Sequence, residues 1–270
     1  MPDEIYKEMF LSPIKTCMSY KPKFGQSGKE SGVSLAGFKS LYGADPFYAW
    51  IGLDSELMYA AHKAAGGMTS IYRQIGVGCE RLFRQIILDN AGYNSPEFAA
   101  WSYETTKTVI KNNKPKQEKR VLTLDGRLEF SEIKNKKVSA ALEKWVKEYC
   151  TKIDANIPEN GVVFEVRQGY KSKDSKRQNA DIENASTAWA KGYLPIFAIF
   201  SSQIDVDNMN RYINSRAGVL IGNGSEDHLI SLFAFCKNIL GYDLAGFFER
   251  NSGEIKKEVN DVLQKLLSAK

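Results

Sequence analysis

Residues 162–174 read Val-Val-Phe-Glu-Val-Arg-Gln-Gly-Tyr-Lys-Ser-Lys-Asp, an apolar run that passes into dense charge. The apolar part predicts a buried strand. Because side chains alternate between the two faces of a strand, Glu165, Arg167, Gly169 and Lys171 share one face if the strand continues. A carboxylate beside a cation at the exposed end of a core strand is hard to explain by packing. The pattern favours a site that holds a metal ion and an anion.

A second carboxylate comes earlier, in the stretch Leu122-Thr123-Leu124-Asp125-Gly126-Arg127-Leu128. Asp-Gly pairs are common at hairpin turns, so a hairpin with Asp125-Gly126 at its turn is expected. On the simplest interpretation, Asp125 is a turn residue and Glu165 forms an ion pair with Arg167 on a half-exposed strand. On the other, the two carboxylates bind a hard cation such as Mg²⁺, which prefers oxygen ligands. The residues alone leave both open.

The composition excludes several kinds of site. The chain has 270 residues, four scattered cysteines and two histidines. No C-x-x-C pair is present, so zinc-finger spacing is absent, and a histidine-rich metal site is excluded. Neither glycine-rich nucleotide-binding motif occurs. Carboxylates, lysines and a hard metal remain as the means of catalysis.

Charge and hydropathy bear on partners and location. The net charge of +5 fits a polyanionic partner without requiring one. No apolar run is long enough to span a membrane, and the first residues lack a signal-peptide pattern. We therefore expect a cytoplasmic protein with no membrane partner.

The hydrophobic pattern predicts an N-terminal segment and helical lobe over residues 1–110 and an α/β core over residues 111–270. Helical spacing covers 49–90, where Gly66-Gly67 predicts a break into two helices. After residue 160 the order strand, helix, strand, helix, strand predicts crossover connections within one sheet. Loops are expected at 21–33 and at 111–120.

The order of the charged residues resembles that of a known nuclease signature. Asp125-Gly126-Arg127, followed by Phe164-Glu165-Val166-Arg167, is similar to the PD-(D/E)xK pattern. The run from Phe164 to Ser202 resembles, more specifically, the ApaLI family of type II restriction endonucleases, and the likeness extends over most of the chain, including 59–67. It implies a PD-(D/E)xK restriction-endonuclease-like core, a mixed sheet flanked by helices.

The resemblance also implies an activity. It is Mg²⁺-dependent hydrolysis of phosphodiester bonds in double-stranded DNA at a short palindromic sequence, leaving 5′-phosphates. Because a palindrome has two-fold symmetry, a homodimer or higher homo-oligomer is expected. The restriction-modification class of enzyme is therefore the first functional hypothesis.

Three metal ligands follow from the resemblance. Asp125 and Glu165 would bind Mg²⁺, and Glu80, on a helix before the core, would be a further ligand. The alternative for Glu80 is a solvated helix residue paired with Arg84, four positions on.

The expected catalytic lysine is replaced in this chain. Arg167 stands at that position, and arginine stays protonated, so it can bind phosphate but cannot carry a proton. Lys171 is predicted to be the catalytic lysine, which completes a catalytic set with Asp125, Glu165 and Arg167, and Lys173 is the second choice. The replacement leaves another hypothesis open, a nuclease-fold protein that binds DNA without cutting it.

Basic and amide residues after the strand predict DNA contacts. Cations suit phosphates, arginine can recognise guanine, and glutamine or asparagine can recognise adenine. The candidates are Lys173, Lys176, Arg177, Gln178 and Asn179. A solvated basic helix start is the open alternative. Asp181 and Glu183, further along that helix, are expected at the surface.

Overall fold

In a computed structural model the chain is described at residues 2–25, 31–111, 114–169 and 175–268, with the backbone alone at 2, 107, 120 and 175–178. The helices of this part are α1 (Pro2–Lys15), α2 (Leu35–Gly43), α3 (Pro46–Trp50), α4 (Glu56–Ala91), α5 (Lys136–Lys152), α6 (Ser175–Ala190), α7 (Val206–Asn214), α8 (Leu232–Phe235) and α9 (Leu244–Leu267). The strands are β1 (Trp101–Lys111), β2 (Lys114–Leu124), β3 (Gly126–Glu129), β4 (Gly161–Arg167), β5 (Tyr193–Ile199) and β6 (Gly218–Ile221). Short 3-10 turns lie at Thr16–Ser19 and Pro96–Ala99, and a π-helical turn at Cys236–Leu240.

The strands form two sheets. β1 and β2 make a two-stranded antiparallel ribbon, and the second sheet has the order β3-β4-β5-β6. β3 is antiparallel to β4, whereas β4, β5 and β6 are parallel. α6 connects β4 to β5, and α7 connects β5 to β6. The predicted α/β class and the crossover connections are therefore confirmed.

The four-stranded sheet is buried because helices cover it. β5 is buried at all seven of its residues, as expected for a strand enclosed on both faces. α5 buries side chains at spacings of three and four, among them Val138, Leu142 and Trp145. Trp145 packs edge-on against Phe235 of α8, with ring centroids 4.7 Å apart. The apolar spacing from Val138 to Tyr149 in the sequence is that of an amphipathic helix, and α5 is one.

The expected break at Gly66-Gly67 is wrong, since α4 is continuous across it. Both glycines lie where another chain segment comes close. A Cβ on Gly66 would be 2.0 Å from the Tyr20 hydroxyl, and one on Gly67 would be 2.7 Å from Leu266. The glycines therefore allow close packing of a helix that tertiary contacts keep intact, a cause that local propensity does not contain.

The predicted basic loop at 111–120 and the hairpin turn at Asp125-Gly126 are also wrong. β1 and β2 pair from Trp101↔Leu124 to Lys111↔Lys114, and 112–113, which join them, lie outside the described residues. Asp125 instead lies between β2 and β3, which belong to different sheets. The ribbon shows little apolar alternation, and cross-strand ion pairs such as Lys111–Glu118, at 2.8 Å, lie along it.

By their contacts the residues group into two compact units, Met1–Gly78 with Phe248–Lys270, and Cys79–Phe247. The first contains an aromatic cluster in which Phe24, Phe38 and Tyr59 pack around Val33. The second contains both sheets. The expected boundary near residue 110 falls within β1. Among the described helices, none has the length and apolar character needed to cross a membrane.

Candidate active site

Asp125 directly precedes β3 and lies beside Glu165 of β4 in the second unit. The last β3–β4 pair is Gly126↔Phe164, so the next position along each chain segment carries a carboxylate. The Asp125 N–H donates to the Phe164 carbonyl at 2.9 Å. The Val166 N–H donates to Oδ2 of Asp125 at 2.8 Å. The backbone of β4 therefore fixes the Asp125 carboxylate beside Glu165.

Arg167 is bound by three carboxylates. It forms an ion pair with Oε1 of Glu165, and its Nη2 is 2.9 Å from Oδ1 of Asp181. Its Nη1 is 3.8 Å from Oδ2 of Asp125. We call Asp125, Glu165 and Asp181 the carboxylate cluster. With every group ionised, these three carboxylates and one guanidinium carry two excess negative charges among the described side chains of the cluster, an unfavourable balance in a largely buried place.

Glu165 shows that imbalance most directly. Its Oε2 atom is buried and has no hydrogen-bond partner among the residues that the structure describes. Burial raises the pKa of Glu165 to about 8, against the opposing effect of Arg167, and the negative charges of Asp125 and Asp181 raise it further. At neutral pH the carboxyl group therefore holds a proton, largely because it is buried.

Asp181 was expected at the surface, and this prediction is wrong. It is 2% exposed and sits on the inner face of α6. Besides Arg167, it contacts Tyr212, whose hydroxyl donates to Oδ2 at 2.8 Å. Its spacing to the buried Ala185 and Ala188 is that of one helical face, a signal present in the sequence. The surface prediction came from the basic residues that precede Asp181 in the sequence.

Two further residues that the sequence analysis did not single out as functional support the cluster. Tyr212, on α7, stacks on Phe197 of β5 with ring centroids 3.9 Å apart. Arg84, on α4, donates from Nε to the Asp125 carbonyl at 2.8 Å. Tyr212 holds Asp181 and Arg84 holds the Asp125 backbone, so α7 and α4 each fix one carboxylate residue of the cluster.

Glu80 lies on α4, half-buried and one helical turn before Arg84. Residues four apart share a helical face, so Glu80 lies on the side of α4 from which Arg84 reaches Asp125. Its role as a metal ligand stays a prediction.

The predicted catalytic lysine and most of the predicted DNA-binding side chains are not described. Lys171 and Lys173 lie outside the described residues, and Lys176, Arg177 and Gln178 lie in the first turn of α6 with the backbone alone described. β4 ends at Arg167, so the strand does not continue to Gly169 and the expected shared face does not extend to it. Asn179 is described: its Oδ1 accepts a hydrogen bond of 2.8 Å from Arg211 of α7.

The cluster has the donor chemistry for a hard divalent cation. Within the described ranges, no group of three or more histidine, cysteine, aspartate and glutamate side chains is arranged to hold a metal ion. The guanidinium of Arg167 lies among the carboxylates, where a cation would bind. The unpartnered Oε2 of Glu165 and the excess negative charge nevertheless fit Mg²⁺, which takes carboxylate oxygens. Asp125 and Glu165 are the ligands that suit it.

Comparison with known proteins does not identify this site. No family model, curated protein or solved structure matches the chain. The carboxylate cluster, with the strands and helices that position it, is therefore the basis for assigning a function.

Proposed function

We propose that this chain is a Mg²⁺-dependent type II restriction endonuclease with a PD-(D/E)xK core. It cuts double-stranded DNA at a short palindromic sequence and works as a homodimer or higher homo-oligomer. The observation that carries the proposal is the unpartnered Oε2 of Glu165, beside Asp125 in a cluster with excess negative charge. The antiparallel pairing of β3 with β4 and the parallel pairing of β4 with β5 support the core assignment.

In this proposal Asp125 and Glu165 hold the cation. Mg²⁺ bound there supplies stabilisation of the charge on the scissile phosphate and activation of a water molecule. The Val166 N–H keeps the Asp125 carboxylate oriented, at 2.8 Å from Oδ2. Arg167 remains positively charged at every accessible pH and binds the phosphate. Lys171, or Lys173, is left to orient the attacking water and take its proton.

The residue test is Glu165→Ala. Loss of a ligand should abolish cleavage and leave metal-free binding of DNA, measured by gel shift, largely unchanged. Glu183→Gln, which removes an exposed charge from α6, is the matched control and should cut like the parent protein. Undiminished cleavage by Glu165→Ala would contradict the assignment.

The position of Arg167 favours a second candidate, a nuclease-fold protein that binds DNA and does not cut it. A guanidinium already bound by three carboxylates compensates part of the charge that a metal would neutralise. Such a protein shifts DNA on a gel with a steep salt dependence and needs no Mg²⁺.

Arg167→Lys separates the two candidates. Lysine is a compact cation with a shorter reach and cannot bridge carboxylates as a planar guanidinium does. If Arg167 prevents turnover, the lysine variant should gain Mg²⁺-dependent cleavage that the parent lacks. If the parent is already an enzyme, cleavage should persist or fall in the variant.

A further inference from the structure

The first unit contains a large cavity that the nuclease proposal does not use. Its volume is about 1000 Å³, and its lining comes from 16–23, 31–36, 59–74 and Lys265 of α9. Five basic side chains line it, and no acidic side chain does so among the described residues: Lys21, Lys23, Lys63, Arg73 and Lys265. Serine and threonine hydroxyls make up much of the remaining polar lining. The cavity therefore presents hydrogen-bond donors of a single charge sign.

Elsewhere in the same unit, most of the described lysines are paired with carboxylates. Lys39 is 2.7 Å from Glu56, and Lys15 is 3.5 Å from Glu258. Of the cavity cations, Lys21, Lys23, Arg73 and Lys265 form no ion pair within the described part of the chain. The contrast indicates that a group other than the described carboxylates compensates the positive charge of these four side chains.

Lys63 is the buried member of the set. It is 4% exposed, and its Nζ donates to the Ser268 carbonyl at 2.9 Å. Burial lowers the pKa of the Lys63 ammonium, and the like charges of Lys265 and Lys21 lower it further. Three like charges therefore meet at the cavity, and an anion bound there would offset their mutual repulsion.

We propose that this cavity binds a small phosphorylated molecule of nucleotide size, through Lys63, Arg73 and Lys265. Phosphate oxygens accept charge-assisted hydrogen bonds from ammonium and guanidinium groups, and serine and threonine hydroxyls are further donors to them. The volume lies at the upper end of that of small-molecule pockets. A small ligand fits better than a duplex, because the Lys63 ammonium is buried and the backbone of a duplex would have to enter the cavity to reach it.

The test is titration of the full chain with ATP and with inorganic pyrophosphate in the presence of EDTA, with the heat of binding measured by calorimetry. The chelator keeps metal away from the carboxylate cluster, so the result does not depend on whether the protein is a nuclease. We expect saturable binding of at least one probe. Arg73→Ala and Lys265→Gln each remove an exposed donor and should weaken it about tenfold or more.

Lys256→Gln is the matched control, since Lys256 is exposed on α9, as is Lys265, but does not line the cavity. It should bind the probes as the parent does. Lys63→Gln should abolish binding, and circular dichroism shows whether that variant still folds. Failure of the parent to bind either probe overturns the proposal, and so does equal affinity in the control and cavity variants. The proposal is also overturned if the cavity variants lose affinity for a DNA duplex and not for the probes. The cavity would then be part of a nucleic-acid surface.

Discussion

Glu165 is the residue on which the proposed chemistry depends. A carboxylate in water accepts hydrogen bonds from the solvent. The Oε2 atom of Glu165, in contrast, is buried and has no hydrogen-bond partner within the described part of the chain. Its raised pKa of about 8 measures the cost of ionising it in the cluster. Cation binding would remove that cost and release the proton, so metal affinity should rise with pH through neutrality.

The raised pKa has a consequence for stability. The folded protein holds the Glu165 proton between the ordinary value of 4.5 and about 8, whereas the unfolded chain has lost it. The free energy of unfolding, without metal, should therefore fall as pH rises from about 5 to 8, by on the order of a few kcal/mol. Glu165→Gln, which cannot ionise, should flatten this dependence in urea unfolding. A parent and a variant with parallel pH profiles would contradict the buried ionisation.

Asp181 should matter for stability as well as for the site. Asp181→Asn leaves Arg167 with one carboxylate fewer and weakens the Tyr212 contact. A cost of about 1–3 kcal/mol in the free energy of unfolding is expected, since a buried charged hydrogen bond is lost. Glu183→Gln on the same helix should change it by less than about 0.5 kcal/mol, because Glu183 is exposed. Equal effects in urea unfolding would mean that Asp181 does not hold Arg167.

At the scale of elements, burial decided what the sequence could predict. α5 and the parallel strands β4 and β5 were predictable, because their apolar spacing is a direct record of the faces they bury. Asp181 was predictable from the same spacing on α6. The β1–β2 ribbon was not, since many of its residues are exposed and charged. The register that places Asp125 beside Glu165 depends on pairing between distant segments, which periodicity does not contain.

The continuity of α4 gives a prediction at this scale. A Cβ on Gly78 would be 2.4 Å from the Phe10 carbonyl of α1, whereas one on Gly76 would meet nothing within 4 Å. Gly78→Ala should therefore cost about 1–3 kcal/mol in the free energy of unfolding. Gly76→Ala, two residues away on the same helix, should stabilise by up to about 1 kcal/mol through helix propensity. The same sign for both variants in thermal or urea unfolding would contradict the packing of α1 on α4.

On the scale of the whole molecule, opposite charges occupy different units. The carboxylate cluster belongs to the unit Cys79–Phe247, and the basic cavity belongs to the unit built from both chain ends. The net charge of +5 is an average over these regions and does not predict either one. Composition alone fits a polyanionic partner without requiring one, and it does not locate a site. The fold brings Lys21, Lys63 and Lys265 to one cavity.

The central claim is that the carboxylate cluster cuts DNA at a fixed sequence with Mg²⁺. Its most direct test is digestion of a long, sequenced DNA with the purified full chain, with and without Mg²⁺. We expect discrete fragments only when Mg²⁺ is present. The ends of these fragments should carry 5′-phosphates and define one short palindrome. Intact DNA across a range of Mg²⁺ and Mn²⁺ concentrations, still shifted on a gel by the protein, would contradict it and favour a binding protein in which Arg167 occupies the cluster.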